Sequence, residues 1–132
     1  MQNIVILAGN IGHAPETRAT EGGTSVTRLS LATSRPRLID GKVLRDEVGA
    51  RIEDTEWHRI ICFNGLGRVV QDRCGKGSKV LVRGRIHYTR WTDATGVDRF
   101  GCEIIAENVD FLNPVRPQDA AEVPVIDQDD AP

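Results

Sequence analysis

Between Thr55 and Tyr88 the hydrophobic period changes twice, and this double change restricts the architecture more than any other feature of the chain. The segment TEWHRIICF alternates, with Trp57, Arg59, Ile61 and Phe63 on one face and His58, Ile60 and Cys62 on the other. Residues 64–74 switch to a helical period, placing Leu66, Val69, Val70 and Cys74 on one stripe, and Gly75 and Gly77 stop it. SKVLVRGRIHY alternates again: Val80, Val82, Ile86 and Tyr88 form a core side, and Lys79, Arg83, Arg85 and His87 a basic side. Strand, short helix and strand must therefore follow one another, and no other segment carries a helical period.

The flanks extend this pattern. NIVILAGN (residues 3–10) is apolar on both faces, Val5 and Leu7 on one and Ile4, Ile6 and Ala8 on the other, which predicts a strand buried on both sides. Gly9 and Gly12 relax its path and Pro15 is expected to end it. After a turn at Glu21 to Thr24, SVTRLSLATSR puts Leu29 and Leu31 opposite Arg28 and Ser30. Asp40-Gly41, set between Leu38-Ile39 and Val43-Leu44, predicts a projecting hairpin over roughly residues 37–55. Beyond Trp91 a turn-rich TDATGVD leads to a fifth strand, RFGCEIIAENVDFL. Four prolines and five acids in residues 113–132 predict a disordered acidic tail behind a domain of residues 1–112. Five strands with one short helix between the third and fourth is the order of an all-β, partly open OB-fold barrel, whose exposed face binds nucleic acids or sugars.

A length of 132 residues leaves room for one domain. The sequence has no run of eighteen apolar residues and no leader-like start, so a soluble cytoplasmic protein without a membrane partner is expected. Cys62, Cys74 and Cys102 are odd in number and far apart, and read as buried reduced thiols. The net charge of -2 conceals a division: residues 1–112 hold 16 Lys+Arg against 14 Asp+Glu, and residues 113–132 one Arg against five acids. Fourteen of the 17 cations are arginine, whose planar fork stacks on rings and grips phosphates.

Trp57, Phe63 and Trp91 lie among arginines. Arg59 falls between the first two on one face, Arg90 precedes the third, and Arg99 follows across the loop. Flat rings stack on any base and neighbouring cations release counterions from a phosphate backbone, which together give binding without sequence preference. Core placement of the rings is the competing expectation, weakened by the aliphatic residues available on the opposite faces. Catalytic readings have less support. Gly75-Lys76-Gly77-Ser78 lacks the spacing of a phosphate loop, and His13, His58 and His87 have no partner at metal-ligand spacing. Asp127, Asp129 and Asp130 lack the glycine and glutamate of a calcium loop. No enzymatic activity, cofactor or metal is expected.

The stretches NIVILAGNIGHAPETR, SLATS, TEWHRIICF, KGSKVLVRGRI and RWTDATGVDRF, spread over residues 3–112, resemble bacterial single-stranded DNA-binding proteins of the tetrameric OB-fold type. The resemblance implies homotetramers, or dimers of dimers, that wrap single-stranded DNA in replication, recombination and repair. It also implies stacking at Trp57, Phe63 and Trp91 and a subunit contact at His58. Cations expected to meet DNA are Arg37, Arg59, Lys79, Arg83, Arg85, Arg90 and Arg99. A small barrel buries only one face of its first strand, so Val5 and Leu7 are assigned to contact with a second copy.

Three departures stand out. Arg37 replaces a stacking tryptophan of the family, and the hairpin is about six residues longer than usual, with acids Asp40, Asp46, Glu47, Glu53 and Asp54. The long linker and apolar acidic tip shrink to VPVIDQDDAP, which leaves Asp127, Asp129, Asp130 and Pro132 as the tail contacts for replication or repair proteins. These changes fit a shortened, divergent paralogue. The alternative function is an OB-fold interaction module of a primosome-like assembly that binds DNA weakly.

Overall fold

The computed structural model describes residues 1–113. The tail contacts expected at Asp127, Asp129, Asp130 and Pro132 lie outside the described residues. Seven strands and one helix follow in the order β1 (Val5–Ala19), β2 (Ser25–Pro36), β3 (Leu38–Ile39), β4 (Lys42–Val43), β5 (Glu53–Phe63), α1 (Asn64–Arg73), β6 (Lys79–Thr92) and β7 (Asp98–Asn113). Five of them close into a barrel in the order β1-β2-β5-β7-β6, and β3 and β4 form a separate two-stranded sheet. All barrel pairs are antiparallel except β5 with β7, joined at Ile60↔Ile104 and Ile61↔Ile105. The helix falls between the third and fourth barrel strands, as the OB-fold order requires.

Alternation builds the core. Leu29 and Leu31 on β2 face Ile60 and Cys62 on β5, with Ile11, Val80, Val82 and Ile104 completing the interior. Helix α1 is seated by Val70, fully buried, and by Gly67, where an added Cβ would lie 2.3 Å from Thr27 Oγ1. Thr27 is itself buried and bonds Thr17, which in turn bonds Gln71. Burial pushes the Cys62 thiol up to about 11 and the Cys74 thiol up to about 12, so both stay protonated and unreactive.

Five expectations need correction. Pro15 does not end β1: the strand passes through it with register shifts on either side of His13, and a bulge tolerates the missing N–H. Val5 and Leu7 are not the outward face of β1, because both pack against the barrel core, leaving Ile4 and Ile6 more than 60% exposed. Val69 points away from the barrel, since the stripe that docks α1 is centred on Gly67 and Val70. Tyr88 and Cys102 are exposed, although alternation puts Tyr88 on the core side. The reason is length: β6 and β7 continue past the barrel as a two-stranded ribbon in which Tyr88 pairs with Cys102, and neither face there has an interior to meet.

The hairpin of residues 37–55 is present. Asp40 (φ 51°) and Gly41 (φ 78°) make its turn, which needs a left-handed backbone at both positions. Backbone bonds from Arg37 N–H to Ile52 and from Ile52 N–H to Leu44, with an Arg45↔Arg51 bridge, lace its two arms together. Asp46 Oδ1 accepts from Val48 and Ala50 N–H and closes a second turn at its tip.

Candidate nucleic-acid interface

Cross-strand registers assemble one continuous outer face. On β5 it carries Trp57, Arg59, Ile61 and Phe63, of which Ile61 is covered and only 4% exposed; across β2 it continues through Ala32, Ser30 and Arg28. On the other side Ile105 neighbours Ile61, and β6 contributes Arg85 beside Ile105 and Trp91 beside Arg99. Trp57, Phe63 and Trp91 are 61%, 41% and 47% exposed, so none is a core ring.

Two glycines decide how the indoles lie. A Cβ on Gly12 of β1 would sit 2.2 Å from Trp57 Cζ3, so the Trp57 ring lies across β2 onto the bare backbone of β1. A Cβ on Gly101 would sit 3.2 Å from Trp91 Cζ3, and Trp91 rests there in the same way. Each indole thus touches a glycine of a neighbouring strand through its benzo edge and keeps about half or more of its surface open. Sequence reasoning missed this pairing; the available signal is a glycine on a neighbouring strand at the register of an exposed aromatic. It also missed His13 and Arg28, which share this face and line an open groove of about 400 Å³ with Glu16, Ser30, Arg59 and Glu103.

The expected cations divide into two sets. Arg37 is bound to Asp54 at 2.6 Å, Arg90 to Asp98 at 2.9 Å and Arg99 to Asp93 at 2.9 Å. The hydrogen bond and the charge of Asp54 hold the Arg37 guanidinium above its usual range. Asp93 is held down at about 2, chiefly by the Thr95 hydroxyl and the Val97 N–H, with Arg99 adding to them. Arg90 lies on the ribbon face opposite Trp91, its guanidinium 5.8 Å from the centre of the Phe100 ring. Arg59, Lys79, Arg83 and Arg85 are exposed and in no ion pair among the described residues. Lys79 and Trp91 stand near opposite ends of the 14-residue β6, about 40 Å apart at about 3.3 Å per residue. His58 is half-buried on the interior side of β5, its Nε2 2.9 Å from Thr33 Oγ1.

No helix of the described residues is long and apolar enough to cross a membrane. The arrangement is a ring-and-guanidinium surface on a barrel exterior, with no cluster of metal-ligating side chains among the described residues.

Comparison with known proteins places the chain in a family. A model described as the single-strand binding protein family matches residues 2–112. The single-stranded DNA-binding protein of Xanthomonas campestris pv. campestris is 38% identical over 110 residues, covering 83% of this chain and 60% of that protein. That of Rhizobium meliloti is 39% identical over 107 residues, covering 80% and 58%. The chain therefore spans about 60% of the length of the curated relatives it matches. Among solved structures, the Plasmodium falciparum SSB in complex with ssDNA superposes with a TM-score of 0.70 at 26% identity, covering 85% of this chain and 96% of that one. Since the family match runs through every strand of the barrel, the chain belongs to the single-strand binding protein family.

Proposed function

We propose that the protein binds and protects single-stranded DNA without sequence preference, in replication, recombination or repair, and catalyses no reaction. The carrying observation is the exposure of Trp57, Trp91 and Phe63 on one outer face, with both indoles set against a glycine of a neighbouring strand. Stacking on such rings is worth about 1–3 kcal/mol per base and is indifferent to base identity. Arg59, Lys79, Arg83 and Arg85 supply unpaired charge for phosphates, and Arg37, Arg90 and Arg99 do so only by releasing a carboxylate partner. That the solved neighbour was captured with ssDNA supports binding of single strands by this fold.

For assembly this reading uses β1. Ile4 and Ile6, 61% and 62% exposed, form an apolar edge that a second copy would cover, and a homotetramer built as a dimer of dimers is the form this reading adopts. The site of action is cytoplasmic and nucleoid-associated, with replication or repair proteins reached through the acidic tail.

The test is an affinity titration of the full chain with oligothymidine and with duplex DNA over a range of salt. With roughly six phosphate contacts, log affinity falls against log salt with a slope near about -4 for the single strand. Weak binding without salt dependence would contradict this reading and favour a protein-docking module.

A further inference from the structure

The groove on the outer face lies between the two stacking positions of β5. Trp57 and Phe63 are six residues apart on one strand, about 20 Å at about 3.3 Å per residue, and Arg59 and Ile61 between them line the groove. A strand that engages both rings must cross it. The charged and titratable groups lining it come from four strands: His13 and Glu16 from β1, Arg28 from β2, Arg59 from β5 and Glu103 from β7. His87 on β6 stands beyond Glu103 as its cross-strand partner. Two guanidinium groups and two carboxylates cancel, and none of the four is in an ion pair among the described residues. The charge of the groove is therefore set by His13: zero when the imidazole is neutral, +1 when it is protonated.

The setting of His13 lets it change state without losing a bond. Its backbone N–H donates to Ser30 Oγ at 3.1 Å, and its Nδ1 lies 3.0 Å from the same oxygen. A hydroxyl has one proton to give and two lone pairs to receive with. Ser30 can thus donate to a neutral Nδ1, or accept from a protonated one while still accepting from the backbone. In both states the ring is anchored through Nδ1. Nε2, which has no hydrogen-bond partner among the described residues, remains for a ligand.

We propose that His13 is a proton-linked contact of this groove, its imidazolium Nε2–H meeting a phosphodiester of the strand that passes from Trp57 to Phe63. The proposal rests on the binding reading above and adds a regulation to it. A phosphate near Nε2 favours the charged ring, so binding takes up a proton and affinity rises as pH falls. The linkage is quantitative: a rise of one unit in the pKa of His13 on binding makes the complex tenfold tighter at low pH than at high pH.

The experiment measures affinity for oligothymidine, whose bases do not titrate in this interval, from pH 5.5 to 8.0 at fixed salt. The native chain, His13→Gln and His87→Gln are compared, and the imidazole of His13 is titrated by NMR in the native protein with and without the oligonucleotide. The expected result is tightening of the native chain toward pH 5.5, loss of that response in His13→Gln, its retention in His87→Gln, and a raised His13 pKa in the complex. A native response that is flat, or that persists in His13→Gln, overturns the proposal, as does a His13 pKa unchanged by DNA. Absence of binding at every pH overturns the binding reading as well, and so is distinguishable from failure of the proton linkage alone.

Discussion

On β5, Ile60 and Cys62 are wholly buried, while Trp57 and Phe63 on the opposite side of the same strand are largely open. The inner residues are fixed by what surrounds them: Leu29, Leu31, Val82 and Ile104 leave no other space for an isoleucine. The outer indoles are placed by what is missing, since the absent side chains of Gly12 and Gly101 leave room for each ring's edge while 61% of Trp57 and 47% of Trp91 stay exposed. On the proposed function, interior packing determines stability and the exposed rings of the outer face determine what the barrel can hold. The two can be altered separately.

The sharpest way to break that separation is to damage each side in turn. Ile60→Ala empties the centre of the core and should cost about 2–5 kcal/mol in chemical denaturation. Whatever fraction stays folded should bind single strands with unchanged affinity. Trp57→Ala should do the reverse, costing about 1–3 kcal/mol in binding with little change in denaturation midpoint. Gly12→Ala keeps the indole but displaces its edge, so it should lower affinity by less than Trp57→Ala does. A stability loss for Trp57→Ala as large as that of Ile60→Ala would show the ring to be structural.

The division among cations gives a finer test. Arg59→Ala should reduce the magnitude of the log affinity against log salt slope by about 0.7 for each lost phosphate contact. Arg90→Ala should change it less, because Asp98 already neutralises that guanidinium and would be left unpaired. Equal slopes for the two variants would remove the distinction between paired and free arginines. The smallest effect expected is at the ribbon tip. Asp93 is held at about 2, below its usual 3.8, so its grip on Thr95, Val97 and Arg99 is complete above about pH 4 and lost as pH falls through about 2. Amide signals of Thr95 and Val97 should shift across that interval while those of Ile60 and Val82 hold, and Asp93→Asn should abolish the step.

Much of this division is legible in the sequence, because a period of two separates faces wherever a strand stays in the barrel. The alternation of Trp57, Arg59 and Phe63 against Ile60 and Cys62 follows from it, as the turn follows from Asp40-Gly41 and the single helix from the switch to a helical period. It misleads where the strand leaves the barrel, since alternation persists at Tyr88 but the interior has ended. It was ambiguous at β1, where both faces are apolar and only closure against β6 selects Val5 and Leu7 for the inside. The groove was beyond it, because His13, Arg28, Arg59 and Glu103 belong to four strands whose register is set by bulges on either side of His13. Ion pairing of Arg90 and Arg99 was also hidden, as both partners sit across a turn.

The central claim is that both tryptophans of the chain present an open ring face to single-stranded DNA. Intrinsic tryptophan fluorescence during addition of oligothymidine to the full chain addresses it directly, since Trp57 and Trp91 are the only sources of that emission. Strong quenching that saturates with the single strand, and is roughly halved in Trp57→Phe and in Trp91→Phe, is the predicted result. Emission that stays unchanged while an independent assay shows the DNA to be bound would contradict the account.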